Sequence, residues 1–512
     1  MKQYNSYNEM FSVFGIPIDN INMDEAVKII FSMIDEYSID KKPRLIATVN
    51  IDFLVNTLSW FSGIPNHPEL LSILRRADIV TADGMPIVWL SKLIGSPIKE
   101  RVTGSDLVPM IAKEAEIKGK SIYFLGGREG VGLKAAEILK GKYPELKIAG
   151  YSSPFVNIHG EALNSAIEDD IPIVSHINKS NPDILLVAFG NPKQEMWFRR
   201  NNDRLNVAVT IGIGGTFEFI TGGVARAPKW MQKLGLEWVF RISQDPKRLW
   251  KRYLLGFFKF PIMIFPIIFY HYYRKWIFNS FNKKKIKNIE LNYQVGDGTI
   301  HILTLPDYVD GKNYLSDEYL KSSNIIIDFS NTRFIEASGI GFLLKIWKYA
   351  LKNGKRIYVC SIKKSVLRIL KINRVFDIFS DIICQDINGA IVKLKENESL
   401  PLFFYYLVNE ANYTLISLFG ELDSSQVSKI SASKIFNSQN KQNYLFDLSN
   451  LKFVDSTGLI FFLKFRTLIN ESGGKLVLFG INKTIENMFK VTKVDKILNI
   501  VKEFSDAERS LS

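Results

Sequence analysis

Cysteine is almost missing from this chain: Cys360 and Cys384 are the only two in 512 residues. That excludes a disulfide framework and a thiolate zinc site, and it suits a reducing cytoplasm. Histidine is equally sparse, five scattered residues in no metal-ligand spacing. The first half also lacks an Asp-x-Asp pair at a strand end, so a bound divalent metal is not implied, and no cofactor is expected; Asp169-Asp170, before Ile-Pro, reads as a solvated loop. Residues 1–8 are polar and lack the apolar core of a signal peptide. Acidic side chains are scarce between Arg226 and Lys287, where Lys and Arg greatly outnumber Glu237 and Asp245. A clean apolar run of the roughly 20 residues that a spanning helix needs is wanting too. Leu254 to Tyr273 is strongly apolar but is interrupted by Lys259, Pro261 and Pro266.

A chain this long exceeds one core, and three or so domains are expected. Its 66 Lys and Arg against 52 Asp and Glu leave a formal charge of +14. Such an excess suits phosphate-rich substrates, anionic lipid or nucleic acid. In the most basic stretch the cations interleave with Trp, Phe, Ile and Pro, which argues against a solvated nucleic-acid surface. It reads instead as a membrane interface, with aromatic rings at headgroup depth and cations toward anionic lipid. An interfacial or re-entrant anchor is therefore expected at Leu254 to Tyr273, the plain alternative being a core helix packed on a sheet. Lys283 to Lys287 reads as a linker.

From Phe11 to about Gly215, short apolar runs alternate with helical stretches. Leu45–Val49, Ser121–Leu125, Ile184–Phe189 and Val207–Ile211 read as buried parallel strands, with helices at Asp24–Asp35 and Gly130–Leu139. This alternation predicts an α/β, Rossmann-like parallel sheet, whose ligands bind beyond the carboxyl ends of its strands. The C-terminal part is written twice. Ile325–Asn331 and Phe334–Ile340 are echoed by Tyr444–Asn450 and Phe453–Leu459. The spacing is far longer than a solenoid period, so a whole small α/β domain is duplicated. The expected divisions are 1–245, a basic apolar segment at 246–288, and repeats at 289–397 and 398–512.

Four motifs in the first half carry the chemistry: Thr48-Val-Asn50; Thr81-Ala-Asp83-Gly84 with Arg101-Val-Thr-Gly-Ser-Asp106; Pro192-Lys-Gln194-Glu195; and Gly212-Ile-Gly214-Gly215-Thr-Phe217. Singly they are weak, because Gly turns and Asp-Gly pairs are common turn formers, and none matches a dinucleotide or P-loop fingerprint. In this order, with Arg226-Ala-Pro228, Leu236-Glu-Trp238 and Arg252-Tyr253, they resemble the WecG/TagA/CpsF family of glycosyltransferases from about Phe14 to Tyr253. Trp60 to Pro65 departs from that pattern as a short insertion.

The resemblance implies transfer of a sugar from a UDP-sugar to a polyprenyl-pyrophosphate-linked sugar at the inner face of the cell membrane, by a peripheral or monotopic enzyme. The donor would be of the N-acetylmannosamine, uronic acid or glucose type, and the pathway surface or exopolysaccharide assembly. It makes Asp83 the general base of an inverting transfer, beside the acceptor hydroxyl. Thr48 and Asn50 would orient hydroxyls. Arg101 and Gln194 would hold diphosphate or sugar, and the turn Gly212, Gly214, Gly215 would hold nucleotide phosphate. Without a metal, Arg and backbone N–H groups must stabilise the departing diphosphate. Arg241, Arg248 and Arg252 fall in the family's C-terminal appendage, which by the resemblance docks on the membrane and helps close the active site; there they would meet lipid pyrophosphate or simply anionic lipid.

The repeats resemble STAS domains, the anti-sigma-factor-antagonist fold. In the second, Asp455-Ser456-Thr457-Gly458 matches the motif whose Ser accepts phosphate, so the resemblance makes Ser456 a phosphorylation site for a partner kinase. The plain alternative is an N-cap. In the first repeat Glu336-Ala337-Ser338-Gly339 has lost that hydroxyl, though Ser338 keeps one nearby, and this copy should act as a scaffold or pseudo-partner surface. A kinase or anti-sigma-like protein is the expected partner, no nucleic acid is, and a homo-oligomer stays open. The rival reading is a catalytically silent nucleotide-sugar sensor signalling through the STAS pair.

Overall fold

The alternating apolar runs of the first half form one six-stranded sheet in a computed structural model of the full chain. It describes residues 9–59, 65–233, 235–281, 289–295, 298–310, 324–396, 403–409, 412–427 and 443–511. A short hairpin, β1 (Met10–Val13) and β2 (Ile16–Asp19), precedes the sheet. The six strands are β3 (Arg44–Val49), β4 (Ile79–Ala82), β5 (Ser121–Gly126), β6 (Lys147–Ser152), β7 (Ile184–Ala188) and β8 (Val209–Gly212). All pair in parallel, in the order β4-β3-β8-β7-β5-β6. The chain runs outward from β3 to β4, then crosses for β5, and returns through β7 to β8 beside β3. The β3–β8 seam is thus where connections reverse, the usual ligand position in open α/β sheets.

Helices cover both faces, as an all-parallel sheet requires: α1 (Met23–Asp40), α2 (Ile51–Thr57), α3 (Pro68–Arg76), α4 (Met85–Leu93), α5 (Gly104–Lys118), α6 (Val131–Lys142), α7 (Ala166–Ser180), α8 (Lys193–Asn201) and α9 (Thr216–Ile220). Two apolar cores result, one around Leu45, Leu185 and Trp197, the other around Ile46, Phe124 and Phe217. Asp169 and Asp170, expected in a solvated loop, instead lie in α7, Asp169 in its first turn and Asp170 just after it. Asp170 is buried and accepts hydrogen bonds from Arg200 Nε (2.8 Å) and Asn201 Nδ2 (2.7 Å).

After α10 (Lys229–Lys233) and α11 (Glu237–Gln244) comes α12, Pro246–Phe281, a single 36-residue helix. The expected proline breaks do not occur, since Pro261 and Pro266 lie inside it. Packing overrides their poor propensity: Phe260, Met263 and Ile267 enter the first core, and Lys259 is buried with Nζ donating to the Val55 and Leu58 carbonyls. The charge that interrupts the apolar run therefore caps α2. The opposite stripe, Leu254, Phe258, Ile262, Phe265, Phe269, Tyr272 and Trp276, is exposed at helical spacing.

The two repeats have one topology. The first sheet is β15-β14-β12-β10-β9, and the second is β16-β17-β18-β19-β20. Here β9 is Ile289–Val295, β10 Gly298–Thr304, β12 Asn324–Asp328, β14 Ile357–Cys360 and β15 Ile383–Cys384; β11 (Tyr308–Val309) and β13 (Phe334–Ile335) pair separately. Likewise β16 is Phe403–Asn409, β17 Tyr413–Leu422, β18 Asn443–Val454, β19 Leu476–Phe479 and β20 Ile500–Val501. In each sheet the first pair is antiparallel and the rest are parallel. The motif loops lead into matching 16-residue helices, α13 (Ala337–Lys352) and α14 (Ser456–Glu471).

Candidate active site

Asp83, Thr48, Asn50, Gln194 and the glycine turn all sit at the carboxyl ends of four adjacent strands, β4, β3, β7 and β8. Thr48, buried near the end of β3, donates through Oγ1 to the Gly212 carbonyl of β8 at 3.0 Å, tying the seam together. Asn50 caps α2, its Oδ1 accepting the Asp52 N–H at 3.0 Å. Asp83 lies in the turn from β4 to α4, and its N–H donates to Val49 at 2.7 Å, which fixes it beside the end of β3. Gln194 opens α8 after β7. Its Oε1 accepts the Gly214 N–H at 3.1 Å, and its Nε2 donates to Glu195 Oε1 at 2.7 Å. A Cβ at Gly212 would lie 2.5 Å from that Nε2, so the amide is admitted because residue 212 is glycine. Gly214 has φ 54°, and Gly215 leads into α9. The Gly214 N–H is already given to Gln194, so the turn is built around the side-chain amide.

Above this edge lies a charged network. Arg101 Nη1 donates to Glu237 Oε2 at 3.0 Å, and Arg241 Nη2 donates to Glu237 Oε1 at 2.8 Å. Arg241 also lies over the Phe219 ring, 4.8 Å from its centroid. Arg226 grips Asp106 through both terminal nitrogens, at 2.5 and 3.1 Å. The α11 helix thus folds back over the strand ends and brings Glu237 and Arg241 to Asp83. Burial pushes the Asp83 carboxyl up to about 7, working against Arg241 and Arg101 and helped by Glu237 and Asp106. Glu237, although burial works to raise it, is held below the usual range by Arg241 and Arg101. Glu195 is fully buried, and burial pushes it up to about 8.

A carboxyl poised near neutrality beside several guanidinium groups can take a proton while an anionic leaving group is stabilised. Arg241, expected at lipid pyrophosphate or anionic lipid, is held by Glu237 and acts on Asp83. Arg248 and Arg252 lie on the α12 backbone, and their side chains fall outside the described residues, as do 60–64 of the expected insertion and the 283–287 linker. Glu195, Asp106, Arg226 and Glu237 received no role from the sequence, although each stands inside a quoted motif. The one available signal was Glu237, an isolated acid in a basic stretch.

In the second repeat the cap of α14 is Asp455, whose Oδ1 accepts the Gly458 N–H at 2.9 Å. Ser456 is the first helical residue, so the plain N-cap reading of Ser456 does not hold. Its counterpart Ala337 follows Glu336, which makes no cap bond and pairs instead with Lys275 of α12 at 3.1 Å.

Comparison with known proteins places these features in families. The model of the glycosyl transferase WecG/TagA/CpsF family matches residues 11–271, and the STAS domain model matches 271–390 and 407–507. An N-acetylglucosaminyldiphosphoundecaprenol N-acetyl-β-D-mannosaminyltransferase of Bacillus spizizenii is 34% identical over 188 residues, 37% of this chain and 68% of that one. The Bacillus subtilis protein of the same name is 30% identical over 244 residues, 48% of this chain and 86% of its own. The solved anti-sigma factor antagonist SpoIIAA, in its unphosphorylated form, shares 22% identity over 21% of this chain and 96% of its own, with a TM-score of 0.19. At that score the STAS assignment rests on the family model and the repeated topology.

Proposed function

The chain belongs to the glycosyl transferase WecG/TagA/CpsF family, and from that premise we propose that it transfers N-acetylmannosamine from its UDP-sugar to N-acetylglucosaminyl-diphosphoundecaprenol. The names of its relatives favour this donor over the uronic acid and glucose types. One observation carries the mechanism: Asp83, pushed up to about 7, stands at a strand end beside Arg101 and Arg241. The acceptor hydroxyl attacks the anomeric carbon on the face opposite the diphosphate, through an oxocarbenium-like state. Asp83 takes the hydroxyl proton as the new glycosidic bond forms, and UDP departs with the electron pair of the broken bond. Arg101, Arg226 and Arg241 meet its growing negative charge, as guanidinium forks suit phosphate oxygens. Gln194, oriented by Glu195 and Gly214, and Asn50 position sugar hydroxyls.

The acceptor lipid is reached from a membrane surface. The exposed stripe of α12 continues into Trp89, Leu93 and Trp230, each 45% exposed or more. A patch of that extent marks a partner or membrane site. The helix is long and apolar enough to cross a bilayer, yet Lys259 and the Tyr272 hydroxyl, bonded to Leu93 at 2.6 Å, hold it along the protein. It therefore lies in the interface with its aromatic stripe toward lipid, at the cytoplasmic leaflet. The STAS pair regulates or recruits, with Ser456 as the modification site. Detergent-solubilised protein given lipid-diphosphate-linked N-acetylglucosamine and a panel of UDP-sugars tests the reading. Product with UDP-N-acetylmannosamine supports it; product only with another donor corrects the sugar, and no product from any donor sinks it.

A further inference from the structure

Ser456 does not face solvent. It is fully buried against the transferase domain, where Glu69 of α3 receives it. Glu69 Oε1 accepts both the Ser456 N–H at 3.0 Å and the Ser456 Oγ–H at 2.7 Å. Around this pair the contact is ionic. Arg199 of α8 donates to Asp423 at 2.9 Å and lies 3.8 Å from Asp455; Arg76 of α3 donates to Glu421 at 3.0 Å. Asn487 Nδ2 donates to the Pro65 carbonyl at 2.9 Å, and Leu163 and Ala166 enter the second STAS core.

This face is poised rather than fully satisfied. Among the described residues, Glu69 Oε2, Ser424 Oγ and Thr457 Oγ1 are buried without hydrogen-bond partners. Burial first, then the nearby Asp455, lifts Glu69 to about 7; Asp455 is likewise lifted by burial, to about 6, against Arg199. Two buried carboxyls already crowd Ser456. A further negative charge on its oxygen would be desolvated beside them, an unfavourable placement that the docked state could avoid only by opening.

The first repeat uses the corresponding loop and helix on the same domain without polar partners at this position. Ala337 joins the transferase core, and a Cβ on Gly341 would lie 1.8 Å from the Met10 carbonyl oxygen. At this loop one copy is packed by apolar contact and the other is held by hydrogen bonds and ion pairs; elsewhere on its face the first copy is also tied down by ion pairs of Asp377 with Arg75 and of Lys352 with Asp78. The polar copy also grips α8, the nine-residue helix that begins with Lys193 and Gln194.

We propose that the α3–α8 face of the transferase domain is the resident partner of the Ser456 loop, that negative charge on Ser456 expels the second STAS domain from it, and that expulsion loosens the helix carrying Gln194. The loop is then available to another protein only when the transferase domain has let it go. The proposal does not depend on which sugar is transferred.

Hydrogen exchange on the full chain tests it without any activity measurement. In Ser456→Asp, amides at the start of α14, in α3 and in α8 should exchange at least about tenfold faster than in wild type. Those of β18 and β19 should keep their protection, showing that the second STAS domain is still folded. Ser456→Ala should change little. Ser456→Asp combined with Glu69→Lys should restore protection, because the new pair is of opposite sign. Unchanged exchange in α3 and α14 for Ser456→Asp overturns the docking claim. So does equal loss in Ser456→Ala, or failure of Glu69→Lys to restore protection. Loss confined to α3 and α14, with α8 unaltered, removes the coupling to Gln194.

Discussion

Replacing Asp83 by Asn should damage transfer and strengthen the fold, with a pH signature in each. Burial lifts this carboxyl from 3.8 to about 7. For transfer, wild-type kcat/KM should climb with pH and level off above about 7, where the base is ionised. Asn accepts no proton, and a positioned base contributes about 10²–10⁴-fold, or ~3–5 kcal/mol of barrier at 1.36 kcal/mol per tenfold. For stability the sign is opposite. The unfolded chain releases this proton near 3.8, while the folded chain holds it to about 7. Between those values the folded state binds more protons, so stability is fully present below the lower value and falls as pH rises through the upper one. About three pH units correspond to an upper bound on the order of 4 kcal/mol, reduced because Asp83 is partly exposed. Asn carries no such loss. Thermal unfolding of both proteins at pH 5 and pH 8, beside the transfer assay, should show the variant gaining on wild type as pH rises. Undiminished turnover would remove Asp83 from the mechanism, and an identical stability gap at both pH values would refute the buried-base argument.

Arg241→Gln removes the largest charge that lowers Asp83; the rising limb of kcat/KM should move up by about one pH unit, read from the pH profile. Glu237→Gln should move it down, since Glu237 raises Asp83 and engages both Arg101 and Arg241. Phe258→Glu with Phe265→Glu and Phe269→Glu should abolish flotation with anionic vesicles while changing folded stability by only about 0.5 kcal/mol per site or less, as exposed substitutions do. Gly341→Val should separate the first STAS domain from β1 or lower stability by at least about 1–3 kcal/mol, seen as a drop in Tm and faster exchange in β1.

Much of the catalytic edge was legible because it is local. Four buried strands announced themselves as short apolar runs, and the residues that follow them are the ones found at their carboxyl ends. Strand β6 is half-exposed with little apolar pattern, so it did not stand out. Asp170 was misread because two acids before Ile-Pro look like a turn; the buried Arg200 and Asn201 that satisfy it lie 30 and 31 residues away. The prolines of α12 were given their intrinsic weight, about 3 kcal/mol each in a helix interior, without the packing of Phe260, Met263 and Ile267 that outweighs it. Glu69 had no signal at all. A Glu after Pro at a helix start is favourable by itself, and its partner Ser456 is 387 positions distant.

The lost hydroxyl of the first repeat follows from where that repeat is packed. Position 337 joins a core containing Phe260 and Met263; a Ser there would need a partner for its O–H, and an unsatisfied buried hydroxyl costs about 1–3 kcal/mol. Ala needs none. Glu336, one methylene longer than the Asp at 455, leaves the helix start uncapped and reaches Lys275 of α12 instead. The changes that remove the hydroxyl thus also fasten this loop to α12. In the second repeat the hydroxyl is satisfied by a carboxylate of the transferase domain, so its retention serves the contact between the two domains. The duplicated fold thus meets the transferase domain through one loop that is packed and one that is held by a carboxylate, and under the proposal above only the second responds to added charge.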